Sequence, residues 1–102
     1  MKRFSIIYSN RAYVDLEKLS DVIQTNYNAP ITSKRYIFGL RAEIKKLSII
    51  AAALPYSTNP HLLKYGQNTK RLNYKEIAII FAIYLPIVYI HRIIPANSVL
   101  DL

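Results

Sequence analysis

The amino-acid sequence predicts an α+β fold, in which a small antiparallel sheet carries a helical hairpin on one face. The predicted order of elements is strand, helix, helix and then a three-stranded meander. Residues 69–95 are a basic polar segment followed by two runs of β-branched and aromatic residues, which is typical of consecutive strands. Earlier in the chain, apolar residues recur at steps of three or four, which is typical of amphipathic helices. At a length of 102 residues, we expect one domain spanning residues 1–102.

The first strand and first helix are predicted from residues 4–27. Phe4, Ile6 and Tyr8 alternate with less apolar residues and form the inner face of a short strand. Ser9 or Asn10 can cap the helix that follows, because either side chain can accept a hydrogen bond from an amide two or three residues later. The buried stripe of this helix is predicted to contain Ala12, Leu16, Leu19, Ile23 and Tyr27, and its solvent-facing side Asp15, Glu17, Lys18 and Asp21.

A second helix is predicted after a break between Asn26 and Pro30, because the residue before a proline avoids helical dihedral angles. We expect this helix to begin at Thr32 or Ser33 and to pair with the first as an antiparallel hairpin. Its apolar stripe comprises Tyr36, Ile37, Leu40, Ile44 and Leu47, and the opposite face carries Lys34, Arg41 and Lys45.

The meander follows a loop that is predicted from residue 51 to Gly66. Residues 77–90 are uncharged, but a membrane-spanning helix needs about 20 apolar residues. Glu76 and His91 close this run and Pro86 interrupts it, so two short buried strands joined near Pro86 fit it better. No membrane segment is therefore expected.

The chain is strongly basic, with a formal net charge of +8 and an isoelectric point near 9.8. This charge indicates an acidic partner, either a nucleic acid or an acidic protein segment. The chain has no cysteine, which excludes disulfides and thiolate metal sites and fits a reducing, cytoplasmic environment. The two histidines have no carboxylate at ligand spacing, and there is no glycine-rich phosphate loop, so neither a metal nor another cofactor is predicted.

Four parts of the chain have a pattern known from one protein family. They are residues 9–16 (SNRAYVDL) with Tyr27, Gly66 ahead of residues 70–72, residues 79–84 (IIFAIY) and residues 88–94 (VYIHRII). These segments resemble the first helix and the last three strands of the RelE/ParE superfamily of bacterial type II toxins. The resemblance spans nearly the whole chain and implies the fold described above.

The superfamily has two branches, and the residues resemble one more than the other. Members similar to RelE are ribosome-dependent endoribonucleases that use basic side chains and often a C-terminal tyrosine or histidine; members similar to ParE poison DNA gyrase and lack that set. The ribonuclease lysine pair falls near Lys70 and Leu72, and its third-strand arginine near Ala78. Residues 95–102 contain no Arg, Lys, His or Tyr. The resemblance therefore implies a plasmid-stabilisation type of toxin that binds and inhibits a replication enzyme such as DNA gyrase and is neutralised by an acidic antitoxin.

Two other functions stay open on the same residues. One is a ribosome-dependent messenger RNA endoribonuclease with a rearranged site, for which His91 and Arg92 are the candidate acid-base group and cation. Neighbouring residues of a strand point to opposite faces, so these two are not expected to serve one site, and an enzyme is the less favoured hypothesis. The other is a degenerate member that binds its antitoxin without toxicity.

Partner binding is assigned to basic and aromatic residues around the sheet. Lys70 and Arg71 lie together just after Gly66, on a strand whose family counterparts face an acidic partner or RNA. We expect their charges to be exposed and to serve binding rather than stability, with the basic stripe of the second helix as the next candidate. The full set of expected partner-binding residues is Lys64, Lys70, Arg71, Tyr74, Lys75 and Arg92.

Overall fold

The computed structural model describes residues 3–27 and 30–102, without the side chains of residues 26 and 27. The strands are β1 (Ser5–Tyr8), β2 (Thr69–Tyr74), β3 (Ile77–Tyr84) and β4 (Ile87–Pro95), and the α-helices are α1 (Asn10–Tyr27), α2 (Pro30–Lys45) and α3 (Leu47–Ile50). Short 3₁₀ turns occupy Ala51–Ala53, Leu63–Tyr65 and Ala96–Asp101. The predicted order of strand, two helices and three strands is confirmed. The break expected between Asn26 and Pro30 falls partly on residues 28 and 29, which lie outside the described residues, as does the side chain of Tyr27.

The sheet has the strand order β1-β4-β3-β2. The predicted meander is confirmed, because β2 pairs with β3 and β3 with β4 in antiparallel fashion. β1 departs from the antiparallel expectation by pairing with β4 in parallel. The helices and the first two strands of the meander return the chain to the end of the sheet where it began, and such a crossover is what a parallel pair requires.

A β-bulge interrupts the pairing of β3 with β4. Ile80 pairs with Arg92 and Phe81 with Ile90, so His91 is an extra residue on β4. A bulge leaves one residue unpaired and re-aims the side chains around it. This irregularity positions the candidate site described below.

The helical hairpin packs on one face of the sheet, as predicted. Leu40 and Ile44 of α2 and Leu16 of α1 are buried against Phe81 and Ile90 of the sheet. The predicted stripes of both helices are confirmed apart from Tyr27 and Leu47; Leu47 is buried as expected, but it begins α3 because α2 ends at Lys45. α2 begins at Pro30, two residues earlier than expected, because proline fits the first turn of a helix, where its missing N–H has no helical partner.

The opposite face of the sheet is also covered. Leu62 of the loop and Val99 of the last 3₁₀ turn pack on Ala78, Ile80 and Ile94. Coverage of both faces explains why residues 77–82 of β3 are all buried. In the described ranges, residues 3–27 and 30–102, no helix is long and apolar enough to cross a membrane.

Truncation of one residue in each core tests this arrangement. Ile80 and Ile90 are both fully buried, so Ile80→Ala and Ile90→Ala should each lower the free energy of unfolding by about 2–5 kcal/mol. A chain of this size is stabilised by only about 5–15 kcal/mol in total, so thermal melts will resolve either change. Ile31→Ala, at an exposed position of α2, is the matched control. Shifts below about 2 °C for both buried positions would contradict the strand assignment.

Candidate functional site

A cleft of about 400 Å³ lies beside β4, between the start of α1 and the turn that precedes β2. It is the part of the molecule where the predicted catalytic candidates meet. We call it the β4 cleft, and its walls are formed by Ser9, Arg11, Lys64, Tyr65, Tyr89, His91 and Arg92.

His91 and Arg92 both line the β4 cleft. The sequence-based expectation that these neighbours point to opposite faces is wrong here, because the bulge at His91 breaks the alternation of the strand. No sequence pattern in residues 87–95 predicts this bulge. The structure therefore joins two candidates that simple strand geometry separates.

Arg92 is held by a carboxylate from α1. Its Nε donates to Asp15 Oδ2 at 2.8 Å and its Nη2 donates to Oδ1 at 3.1 Å. The backbone N–H of Ile93 also donates to Asp15 Oδ2, at 3.0 Å. The two hydrogen bonds between the guanidinium and the Asp15 carboxylate raise the pKa of Arg92 above its ordinary value and hold its side chain against α1.

Asp15 is only 8% exposed, although the sequence placed it on the solvent-facing side of α1. That expectation is wrong because β4 extends beyond the end of β1. β1 pairs with β4 only as far as Ile90. Further along β4, the backbone N–H of Ile93 has no β1 residue opposite it, and it donates to the Asp15 carboxylate instead.

His91 packs among aromatic rings in the same cleft. Its ring centroid lies 5.1 Å from that of Tyr65 and 5.0 Å from that of Tyr89. The Nε2 atom is buried and has no hydrogen-bond partner among the residues that the structure describes. Burial lowers the pKa of His91, so the neutral ring is the favoured form.

Lys70 is buried, contrary to the expectation that its charge faces a partner. The residue is 4% exposed, and its Nζ donates to Ala51 O at 3.0 Å and to Ala52 O at 3.5 Å. The same Nζ lies 4.8 Å from the ring centroid of Tyr56. Burial lowers the pKa of the Lys70 ammonium. The carbonyls come from the short turn after α3, so this lysine fixes the loop to the sheet.

The other expected partner-binding residues do not form one patch. Lys64 lines the β4 cleft and lies 5.3 Å from the Tyr65 ring centroid. Lys75 has a positive φ of 52° in the turn between β2 and β3, and its Nζ lies 5.4 Å from the Tyr74 ring centroid. Arg71, on β2, donates from Nε to Asn73 Oδ1 at 2.8 Å.

Tyr74, another expected partner-binding residue, packs against the core cluster. It is half-buried and packs on the helix-covered side of the sheet, with its ring 5.7 Å from that of Tyr36. Its hydroxyl occupies the space where a Cβ would project from Gly39 of α2, which explains a glycine inside that helix. The partner-binding role remains a prediction for all six residues, Lys64, Lys70, Arg71, Tyr74, Lys75 and Arg92.

A larger groove of about 570 Å³ lies between β1 and α2. We call it the β1–α2 groove, and it is lined by Ile6, Tyr8, Phe38, Arg41, Ala42, Ile44 and Lys45. Phe38 is 77% exposed, and the Arg41 guanidinium lies 5.8 Å from the ring centroid of Tyr8. The basic stripe of the second helix had indicated Arg41 and Lys45, but the groove itself was missed because sheet order, not periodicity, leaves β1 beside α2.

In the part of the chain that the structure describes, no three His, Cys, Asp or Glu side chains lie close enough together to hold a metal ion.

Substitution of the two adjacent basic residues of β2 separates a structural cation from a surface one. Lys70→Ala removes a buried charge-assisted hydrogen bond and should lower the free energy of unfolding by about 1.5–3 kcal/mol. Arg71→Ala, the matched control, should change it by less than about 0.5 kcal/mol. Thermal or urea melts measure both. Equal stabilities for the two variants would contradict the structural role of Lys70.

The pH dependence of stability tests the environment of His91. Because its folded pKa lies below the ordinary value of 6.5, the unfolded chain binds a proton first as the pH falls. The free energy of unfolding should therefore decrease below pH 6.5, down to the folded pKa. His91→Phe keeps the aromatic packing but cannot titrate, so it should be destabilised less than the wild type over that window. Urea melts of both proteins at pH 7.5 and pH 5.5 give the free energy of unfolding at each pH. An equal loss of this free energy between the two pH values in the wild type and in His91→Phe would contradict the burial effect.

No family model matches the chain, and no curated protein matches it. Among solved structures, a chain of the "Chromosomal ParDE TA system from P. aeruginosa" superposes with a TM-score of 0.75. The two chains are 16% identical, and the match covers 91% of this chain and 96% of the other. At this identity the likeness shows that the two chains share a fold.

Proposed function

We propose that this protein is the toxin of a bacterial type II toxin–antitoxin pair, which inhibits a replication enzyme such as DNA gyrase by binding it in the cytoplasm. The observation that carries the proposal is the fold shared over 91% of the chain with a component of a ParDE system. The basic composition supports the toxin role, because the partner that neutralises it would be acidic.

The proposed antitoxin is a small acidic protein whose disordered segment folds on this surface. A chain with a net charge of +8 and exposed apolar side chains suits such a partner. A disordered segment loses entropy on ordering, but it can cover a large area in return.

Action by binding rather than by cleavage is supported by the state of the candidate catalytic groups. Cleavage of RNA at the 2′-hydroxyl needs a base, a proton donor and cations for the developing charge. Arg92 is already bound to Asp15, and the Nε2 atom of His91 is enclosed. Residues 95–102 carry no basic or aromatic side chain that could supply a further group.

An endoribonuclease with a rearranged site is the second candidate. One observation favours it, namely that the bulge brings His91 and Arg92 into one cleft with Arg11 and Lys64. In such an enzyme, His91 would exchange protons and the three cations would stabilise the phosphate.

Expression in a bacterial host distinguishes these functions. Production of the protein should arrest growth, and co-expression of the short acidic reading frame that the proposal expects beside its gene should restore it. The purified protein should inhibit DNA supercoiling by gyrase and leave a defined message intact on ribosomes, because its candidate acid-base group, His91, is enclosed and its candidate cation, Arg92, is paired with Asp15.

The matched variant is His91→Phe, which keeps the ring packing. Message cleavage that this variant abolishes would contradict the proposal and establish the ribonuclease. A stable complex with the acidic protein but no growth arrest would instead identify a member that binds its antitoxin without toxicity.

A further inference from the structure

Part of the sheet face opposite the helical hairpin is left uncovered. The loop and the last 3₁₀ turn pack on this face around Ala78, Ile80 and Ile94, near the end of the sheet where β4 finishes. Among the described residues, that buried cluster includes no residue of β1 and none between 81 and 90. The uncovered part therefore lies toward the end of the sheet where β3 passes into β4.

Three strand residues project from this uncovered part. The strand neighbours of Ile7, Tyr84 and Tyr89 pack on the helix-covered core, and side chains alternate across a strand, so these three point to the opposite face. Ile7 is paired directly with Tyr89, so their side chains lie next to each other. Together with Leu85, which follows Tyr84 in the turn, we call them the tyrosine face.

Leu85 is the tip of the tyrosine face. Only Leu85 and Pro86 connect β3 to β4, and Leu85 is 81% exposed, the highest value among the exposed large apolar side chains of the described residues. Tyr84 is 48% exposed and Ile7 43%. Apolar side chains that are exposed together, rather than singly, mark interaction sites.

The tyrosine face continues into the β4 cleft. The ring centroid of Tyr84 lies 6.5 Å from that of Tyr89, which in turn lies 5.0 Å from that of His91 in the cleft. Arg11 and Lys64 line the cleft beyond His91. One continuous surface is thus apolar at the turn and cationic at its other end.

The arrangement of the rings does not suit a single-stranded nucleic acid. Such a ligand stacks its bases on open ring faces and needs cations along its backbone. The rings of Tyr84 and Tyr89 are inclined at 70°, so they pack edge against face instead of forming parallel platforms. Residues 83–90 contain no lysine or arginine, so phosphates along the tyrosine face would lack a counter-charge.

The shape of the tip selects a folded protein as the occupant. An extended peptide binds in a groove or along a strand edge, whereas Leu85 projects outward and fits a concave pocket that already exists in its partner. A second copy of this chain would bring together two molecules with a net charge of +8 each, which disfavours self-association. The cations at the other end of the surface favour a partner with carboxylates at that distance.

We infer that the tyrosine face is the surface by which this protein docks on its folded target. Leu85 and Tyr84 enter an apolar pocket of the target, and Arg11 and Lys64 meet its carboxylates. The assignment rests on the proposed function in that the target is the replication enzyme that the toxin inhibits. It places the contact with the target on the sheet face opposite the helical hairpin.

Growth arrest on expression tests the tip without requiring the identity of the target. Leu85→Asp should abolish the arrest, because it places a carboxylate where an apolar anchor is needed. The matched control is Ile31→Asp, at a residue of α2 that is 68% exposed and lies on the helix side of the molecule, and it should arrest growth as the wild type does. Immunoblots and melting temperatures show that both variants are produced and folded.

Inhibition of DNA supercoiling by purified gyrase measures the same contact in solution. The concentration of Leu85→Asp that gives half-inhibition should rise by about tenfold or more over that of the wild type, and that of Ile31→Asp should change by less than about twofold. A second pair tests the cationic end. Lys64→Glu should raise this concentration by about fivefold or more, and Lys34→Glu, at an exposed position of α2, by less than about twofold.

The outcomes separate this inference from the proposed function. A wild type that neither arrests growth nor inhibits gyrase would overturn both. Growth arrest that Leu85→Asp abolishes, without inhibition of gyrase by the wild type, would support the docking surface and overturn gyrase as the target. Equal effects of Leu85→Asp and Ile31→Asp would overturn the docking surface alone.

Two further measurements distinguish the other possible occupants. Binding of an oligouridylate that is lost in Leu85→Asp would overturn the inference in favour of a nucleic acid. A dimer in sedimentation that Leu85→Asp dissociates while inhibition stays unchanged would overturn it in favour of a second copy.

Discussion

The carboxylate of Asp15 ties the first helix to the strand on which the sheet depends. β4 has nine residues and pairs with both β1 and β3, but β1 has only four residues and ends level with Ile90. Beyond that point Asp15 accepts hydrogen bonds from Ile93 N–H and from Arg92, in place of a strand. Removal of either Asp15 or Arg92 would leave the other charge largely buried and unpaired, which typically lowers the free energy of unfolding by about 3–5 kcal/mol. This ion pair therefore contributes chiefly to stability.

The short length of β1 has a second consequence at its outer edge. β1 is an edge strand of the sheet. The helical hairpin must cover the side chains on its inner face, and α2 covers them incompletely. The result is a groove bordered by open backbone groups, apolar side chains and two cations. One edge strand thus explains both the closed arrangement around Arg92 and the open surface around Phe38, although these lie on different sides of the strand.

Periodicity predicted what local spacing determines. The apolar stripes of α1 and α2 follow from residues three or four apart, and the strands of the meander follow from residues two apart. The structure contains both. The burial of Asp15 and Lys70 was not predicted because their partners are distant in sequence. Arg92 is 77 residues from Asp15, and Ala51 is 19 residues from Lys70. A charged residue next to an apolar stripe looks the same whether it meets solvent or a buried partner, and only the sheet order decides between them.

Two of the basic residues expected to bind a partner, Lys70 and Arg92, also make hydrogen bonds or an ion pair inside the molecule. Chemistry on RNA needs cations that are free to meet a phosphate, and such cations must sit within hydrogen-bond reach of the reacting atoms. Recognition of an acidic protein is less demanding, since complementary charge acts over several ångströms and apolar contact supplies much of the affinity. A fold that commits Lys70 and Arg92 to its own stability therefore leaves other cations for contact with a partner, namely Arg11 and Lys64 in the β4 cleft and Arg41 and Lys45 in the β1–α2 groove.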